Sequence, residues 1–272
     1  MEWTYEKTGR FFAQCAEGLE ELAAAELERL GAAKVDAGFR GVWFKADQPV
    51  LYRVNYCTRL CSRVLAPLLT FDCHSTKYLY RTAMKMDWAS LFDVDRTFAI
   101  TSSVSDSAVR HSQYAALCLK DAIVDQFREN TGRRPDVDRL SPDVRLDLHL
   151  LRNRAAISLD TSGGSLHRRG YRTGKVRAPI QETVAAAMLE MADWNGETPL
   201  RDPMCGSGTI LAEALMRCSG IPAGYLRERF GFENMPGFSR QAWLDVRNAC
   251  DAGMREPESG LLAGGDLDGA AV

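Results

Sequence analysis

The sequence predicts an α+β region followed by the beginning of an α/β domain. Residues 10–71 alternate as strand, helix, strand, strand, helix and strand, which is the order of a ferredoxin-like fold. Residues 199–216 combine a short apolar strand, a turn with two glycines and a run of helix-forming residues, as in the repeating unit of α/β domains. At 272 residues, the chain is long enough for two or three compact units.

Hydrophobic spacing and turn residues place the elements of these units. In the first unit, strands are predicted at 10–15, 33–37, 41–45 and 59–69, and helices at 18–30 and 48–56. The next unit should contain helices at 76–86 and 112–130, a strand at 97–101 and a hairpin of strands 144–151 and 154–160. The last part should contain helices at 181–191 and 239–252, an irregular segment at 221–238 and a final strand near 261–265.

Composition narrows the class of protein. With 46% hydrophobic and 26% charged residues, the chain has an ordinary globular composition. No apolar run approaches the roughly 20 residues that span a bilayer, and the first residues lack the apolar segment of a signal peptide. We therefore expect a cytoplasmic protein without a membrane partner, in which the eight cysteines are free thiols. No metal is expected, because Cys57 and Cys61, with Cys73 and His74 nearby, lack the spacing of a zinc site.

Basic residues concentrate between the second and third units. The net charge is −2, but residues 151–180 contain seven Lys or Arg against one acid, Asp160. Such a stretch can contact nucleic-acid phosphates even in a nearly neutral chain. Gly163, Gly164 and Ser165 are expected to make the segment flexible. The alternative to a phosphate contact is a solvated connector whose charges only keep it soluble.

The glycine turn predicts a ligand loop. Gly206 and Gly208 let a ligand approach the backbone, and the N–H groups of the following helix favour a polar or anionic group. Thr209 follows Gly208 without the lysine of a phosphate loop, and Leu211 stands where a dinucleotide fingerprint needs a third small residue. An ordinary strand–turn–helix without a ligand is the alternative.

The loop Asp-Pro-Met-Cys-Gly-Ser-Gly-Thr resembles motif I of the class I S-adenosylmethionine (SAM) methyltransferases, in the form found in enzymes that methylate amino groups of bases. The resemblance implies a Rossmann-like domain with SAM as cofactor. It further implies that Asp266 accepts hydrogen bonds from the SAM ribose, with Asp268 in support. The residues implied to wrap the methionine end of SAM are Asp202, Pro203, Cys205, Gly206, Ser207, Gly208 and Thr209.

The middle of the chain resembles a THUMP region, an RNA-binding module attached to RNA-modifying enzymes. The similarity lies in residues 110–116, 120–125 and 136–138. We therefore predict a ferredoxin-like unit at 1–72, a THUMP unit at 73–162, a basic linker at 163–177 and a partial methyltransferase domain at 178–272. The predicted RNA contacts are Arg110, Lys120, Arg133, Arg134, Arg168, Arg169, Arg172 and Lys175.

Together, the resemblances imply methylation of the N2 amino group of a guanine in 23S ribosomal RNA. In this family, an Asn-Pro-Pro-Tyr motif holds the amino group, and that motif does not occur among the 272 residues. We therefore expect no catalytic residue in this chain and no turnover from it alone. The alternatives are an RNA-binding module without catalysis, or a related methyltransferase that acts on tRNA or on DNA amino groups.

Overall fold

The computed structural model describes residues 2–172 and 179–267. Its helices are α1 Thr4–Thr8, α2 Glu20–Arg29, α3 Gln48–Cys57, α4 Thr76–Ala83, α5 Ser112–Thr131, α6 Glu182–Met191, α7 Thr209–Cys218 and α8 Arg240–Asp251. Its strands are β1 Arg10–Gln14, β2 Ala33–Gly38, β3 Gly41–Lys45, β4 Arg63–Asp72, β5 Phe98–Ser105, β6 Val144–Leu151, β7 Arg154–Asp160, β8 Leu200–Asp202 and β9 Leu262–Gly264.

The chain divides into two compact units, each assembled from three separate stretches. Unit 1 comprises Met1–Phe12, Val64–Gly164 and Arg229–Ser239. Unit 2 comprises Ala13–Arg63, Ser165–Glu228 and Arg240–Val272. This division follows compactness, and the domain boundaries at 72, 162 and 177 remain predictions.

Unit 1 contains four neighbouring strands in the order β4, β7, β6, β5. β6 and β7 form the predicted antiparallel hairpin, whose turn residues Arg152 and Asn153 both have positive φ, as its tight turn requires. β5 and β6 run parallel, and α5 connects them along the chain. Leu119 and Ile123 on one face of α5 are fully buried, so the predicted helical spacing corresponds to the face that packs in the core.

A segment distant in sequence completes unit 1. Gly231 lies in a short 3₁₀ helix, Gly231–Asn234, and Phe232 N donates to Thr161 O over 2.7 Å. A Cβ on Gly231 would lie 2.1 Å from Asp160 O, and a Cβ on Gly163 would lie 2.7 Å from Gly231 N. The expectation that Gly163 makes a flexible connector is therefore wrong, because this glycine allows two backbone segments to pack closely.

Two parts of the fold differ from the predictions. The short helix α1 was not expected, and it ends at Gly9, whose φ is 62°. The strand predicted at 59–69 begins later, because the buried carboxylate of Glu26 organises the preceding turn. Its oxygens accept hydrogen bonds from Thr58 Oγ1, Arg59 N and Leu60 N over 2.6, 2.7 and 3.2 Å.

Asp143 supports the start of β6 in unit 1. Its Oδ2 accepts hydrogen bonds from Thr97 N and Thr97 Oγ1 over 2.9 and 3.0 Å. The bond from Thr97 N lowers the pKa of this carboxyl, with further contributions from the Thr97 hydroxyl and the charge of Arg96. The carboxylate therefore stabilises the folded state above the ordinary value of 3.8, and this contribution is lost as the pH falls through the lower, folded-state pKa.

We expect Asp143→Asn to lower the free energy of unfolding by about 1 kcal/mol at neutral pH. The difference from wild type should shrink at acidic pH, once the pH falls below 3.8 and through the lowered pKa of the wild-type carboxyl. Urea unfolding of wild type and variant, at neutral and at acidic pH, measures this difference in the free energy of unfolding. Asp72→Asn, at an exposed position at the end of β4, is the control. An equal loss at both pH values would contradict the assignment of the effect to charge.

Unit 2 contains the antiparallel pair β2–β3 and the parallel pair β8–β9. Buried residues from α6, the turn after it, α7 and the segment before β9 form one hydrophobic cluster: Leu189, Trp194, Ala214, Cys218 and Leu261. α3 packs on α8, where the rings of Tyr56 and Trp243 meet edge to face at 5.2 Å. The parallel pair and its cluster position the loop described next.

Candidate functional site

The loop between β8 and α7 is a tight turn that needs its two glycines. Gly206 and Gly208 have φ values of 51° and 70°, in the left-handed region that side chains disfavour. Gly208 N donates to Cys205 O over 2.8 Å, and Ala212 N donates to Gly208 O over 2.8 Å, which begins α7. The helix therefore starts at Thr209, directly after Gly208.

The end of β9 lies against this loop. Cys205 N donates to Gly265 O, and Gly265 N donates to Asp202 O, each over 3.0 Å. Gly206 N donates to Asp266 Oδ2 over 2.8 Å. The structure thus brings together the glycine turn and Asp266, which are 60 residues apart, at the carboxyl ends of two parallel strands. Ligands of open α/β sheets bind at this edge.

Gly264 is a residue that the sequence prediction missed. A Cβ at this position would lie 2.4 Å from Leu211 Cδ1 and 3.2 Å from Cys205 Cβ. A side chain there would force the side chains of Leu211 and Cys205 to shift, at the place where β9 lies against the loop. The signal was the Gly264-Gly265 pair at the end of an apolar run, because glycine in a strand often marks a close approach.

The surface over the turn is open. In the part of the chain that the structure describes, no heavy atom lies within 4 Å of a Cβ built on Gly206, Gly208 or Gly265, apart from their chain neighbours. Pro203 is exposed, Ser207 is half-buried, and Asp202 Oδ1 accepts from Met204 N over 3.2 Å. A ligand could therefore contact the backbone of the turn directly.

Arg172 lies beside the loop. Its Nη2 donates to Thr209 Oγ1 over 3.1 Å and to Ile180 O over 3.2 Å, and it lies 3.2 Å from Glu182 Oε1. Glu182 and Thr209 are themselves buried. This predicted RNA contact is therefore engaged with the beginnings of α6 and α7, where it orients the first residue of α7.

Arg169 corrects a prediction. It is 1% exposed, and its Nε donates to Glu213 Oε1 over 3.2 Å. Its remaining nitrogens donate to the backbone carbonyls of Leu166, Thr58 and Arg59. Since its side chain is enclosed, Arg169 holds its segment against α7. The prediction that Arg169 contacts RNA is therefore wrong.

Tyr171 joins this buried pair. Its hydroxyl donates to Glu213 Oε1 over 3.1 Å. Burial and the charge of Glu213 raise the pKa of Tyr171, so its hydroxyl stays protonated and continues to donate. The segment predicted as a basic linker is therefore attached to unit 2 by buried polar contacts at Arg169 and Tyr171.

Several predicted RNA contacts lie at the surface. Arg110 and Arg134 of unit 1 and Arg168 of unit 2 are exposed. Arg133, also exposed, forms an ion pair with Asp95, and Lys120 Nζ lies 2.7 Å from Asp121 Oδ1. These surface positions leave the cationic groups accessible to a polyanion.

A groove of about 570 Å³ lies in unit 1 between β5 and the first turns of α5. Lys120 lines it together with Arg139 and Arg145, two residues that the sequence prediction did not select. The sequence pattern gave little indication of an RNA contact at these positions, because Arg139 and Arg145 are separated by acidic and apolar residues and form no run of basic residues. The groove therefore adds two arginines to the set of cationic side chains that RNA could contact in unit 1.

Two predicted site residues, Lys175 and Asp268, lie outside the described residues. Within residues 2–172 and 179–267, no group of three or more His, Cys, Asp or Glu side chains is placed to hold a metal ion. No helix of the described chain is long and apolar enough to cross a membrane. All eight cysteines are free thiols.

Three family models match consecutive parts of the chain. Residues 10–65 match an RlmL ferredoxin-like domain, residues 73–160 a THUMP domain and residues 169–272 an RMKL-like methyltransferase domain. The protein slr0064 of Synechocystis sp., provisionally named an RNA methyltransferase, is 41% identical over 261 residues. The match covers 96% of this chain and 68% of that protein.

Solved structures give a similar result. SMU.472, a provisionally assigned methyltransferase crystallised with SAH, is 28% identical with a TM-score of 0.82, over 96% of this chain and 69% of that one. A provisionally described N6-adenine-specific DNA methylase from Listeria monocytogenes is 28% identical with a TM-score of 0.83, over 96% and 68% of the two chains. Both share the fold across nearly the whole chain.

Proposed function

Because the chain belongs to the THUMP-containing RNA methyltransferases, we propose that it serves SAM-dependent methylation of the N2 amino group of a guanine in 23S ribosomal RNA. The observation that carries this proposal is the meeting of the glycine turn with Asp266 at the open end of β8 and β9. A cytoplasmic location belongs to the same proposal, since the RNA substrate would be met there.

The residues of the turn fit the two ends of SAM. The methionine end would lie along Gly206 and Gly208, where no side chain intervenes. Its carboxylate suits the start of α7, because unpaired N–H groups and the helix dipole favour a negative charge. The ribose would lie at Asp266, whose carboxylate has enough acceptor positions to take ribose hydroxyls as well as Gly206 N.

When bound, SAM supplies a methyl group on a sulfonium for in-line transfer to the guanine nitrogen. The contribution of this chain is to hold the cofactor in one orientation, and positioning of this kind supplies a large part of the rate in such transfers. The Asn-Pro-Pro-Tyr motif that would hold the amino group does not occur among the 272 residues. We therefore expect these residues to produce no turnover by themselves.

RNA would be held by the exposed cations of both units. Arg110, Arg134 and Arg168 are exposed, and Lys120 lines a groove with two further arginines. Contacts of this kind neutralise phosphates and make binding depend on salt, without selecting a base. The target guanine would be turned out of its stack to reach the methyl group, as enzymes that modify bases require.

The test is transfer of labelled methyl groups from SAM. The enzyme tested is a chimera, in which this chain is joined to the part of slr0064 that the sequence match does not cover. The chimera is incubated with unmodified 23S rRNA, tRNA or DNA. We expect N2-methylguanine after digestion of the 23S rRNA, and no label from the 272-residue chain alone. Methylation of tRNA or DNA, without methylation of 23S rRNA, would contradict the proposed substrate and identify the one that the enzyme uses.

A second candidate function is an RNA-binding module without catalysis. The exposed cations of unit 1 would serve that function equally well, because phosphate contacts need no cofactor. Calorimetric titration of SAM into the chain and into the chimera separates the two. Binding to the chimera supports the methyltransferase, whereas RNA binding without SAM affinity in either protein supports the module.

A further inference from the structure

Two cysteine thiols face each other in unit 2, away from the loop described above. Cys57 is the last residue of α3 and Cys250 lies near the end of α8. The Cys57 thiol donates to Cys250 Sγ over 3.4 Å. The neighbouring residues fix the two helices, because the Tyr56 hydroxyl donates to Asp251 Oδ1 over 2.7 Å.

Both cysteine residues are partly exposed. Each is half-buried, and both line a pocket of about 510 Å³ in unit 2. The same pocket is lined by four arginines, Arg29, Arg53, Arg59 and Arg217, and by two glutamates, Glu26 and Glu190, so cations outnumber acids around the two sulfurs. Reactive cysteines are found in electropositive, partly exposed surroundings of this kind.

The two thiols have different acidities. The hydrogen bond from Cys57 lowers the pKa of Cys250 to about 7, and the charge of Arg53 lowers it further, while burial and Asp251 oppose the shift. The same hydrogen bond and burial raise the pKa of Cys57. Cys250 is thus the more acidic thiol of the pair, and the hydrogen bond from Cys57 stabilises its thiolate form.

We propose that Cys57 and Cys250 are a redox-active dithiol that hydrogen peroxide converts into a disulfide between α3 and α8. The Cys250 thiolate attacks one peroxide oxygen, the O–O bond breaks, and hydroxide leaves as the sulfenic acid forms. The Cys57 sulfur then attacks the Cys250 sulfur, the S–O bond breaks, and the released hydroxide takes the Cys57 proton to form water. Both sulfurs are oxidised, and one peroxide is reduced to one water and one hydroxide, which becomes the second water by taking up the proton that Cys250 released to solvent when its thiolate formed.

The geometry suits this second step. The sulfurs need to close from 3.4 Å to about 2.0 Å, the length of a disulfide bond. A side-chain adjustment can provide this change, because Cys57 lies at the end of its helix. The disulfide would join two parts of unit 2 that are 193 residues apart in sequence.

The experiment treats the folded 272-residue chain with hydrogen peroxide, alkylates the remaining thiols and analyses the peptides by mass spectrometry. We expect a cross-linked peptide pair containing Cys57 and Cys250, formed about tenfold faster than oxidation at Cys118. Cys118, on α5 of unit 1, is also half-buried and serves as the internal control. Loss of the cross-link on reduction identifies it as a disulfide. Absence of this pair, or oxidation no faster than at Cys118, would overturn the proposal.

Single variants separate the roles of the two sulfurs. Cys57→Ser should leave the Cys250 sulfenic acid unresolved, so that dimedone labels Cys250. Cys250→Ser should leave Cys57 unlabelled, because burial keeps its thiol protonated. Dimedone labelling of Cys57 in the Cys250→Ser variant, without labelling of Cys250 in the other, would reverse the assignment and reject the step as written. The Cys118→Ser variant should form the disulfide as wild type does.

Discussion

Gly206→Val should weaken SAM binding by a factor of about 100, equivalent to about 2.8 kcal/mol. The valine side chain would occupy the open space over the turn, where the methionine end of SAM is proposed to lie. It would also strain a backbone whose φ is 51°. Both effects act on the surface that the cofactor needs.

The measurement is calorimetric titration of SAM into the chimera used for methyl transfer. Gly132→Val is the matched control, because Gly132 also has a positive φ of 71° and open space around its Cβ position, but ends α5 in unit 1. Each variant should lose about 1–3 kcal/mol of stability through backbone strain. If only Gly206→Val loses SAM, the loop holds the cofactor. Equal SAM affinity in both variants would remove the turn from the site.

Glu213→Leu should lower the free energy of unfolding by about 3–5 kcal/mol, because it leaves the charge of Arg169 buried without its partner. Glu213 has no exposed surface, so water cannot replace the lost carboxylate. The Tyr171 hydroxyl would lose its acceptor as well. Urea unfolding, followed by circular dichroism, measures the loss.

The double variant Arg169→Met, Glu213→Leu should recover much of that stability, because it removes both charges together. A double-mutant cycle with Arg169→Met gives the coupling energy of the pair. Arg168→Met, at the exposed neighbouring position, should change stability by less than about 0.5 kcal/mol. Additive losses in the double variant would show that the ion pair contributes nothing beyond its separate side chains.

Periodicity and turn residues were sufficient to predict most of the local elements. The long helix was predicted at 112–130 and spans Ser112–Thr131, and both strands of the hairpin have the predicted bounds. The predicted order of α+β units followed by an α/β domain agrees with the matched domains and the solved structures. The bounds of the helix and of the hairpin depend on neighbours within one helix turn or one hairpin, so a short stretch of sequence contains the necessary information.

Features created by distant contacts were not predicted. The position of Arg169 depends on Glu213, which is 44 residues away, so a basic run gives the same pattern whether its arginines are solvated or enclosed. The later start of β4 depends on Glu26, more than 30 residues earlier. Asp266 was assigned through a resemblance, whereas the requirement for Gly264 emerged only from its distance to Leu211.

The interleaved composition of the two units affects the order in which they can form during synthesis. The chain crosses between the units five times, and the last part of unit 1 is Arg229–Ser239. Gly163 leaves the ribosome well before Gly231, its close partner, so unit 1 cannot be complete until more than 60 further residues have been made. Domains usually fold as units during translation, with the N-terminal one first. Here unit 1 must wait for Arg229–Ser239, which is made only after the stretch Ser165–Glu228 of unit 2.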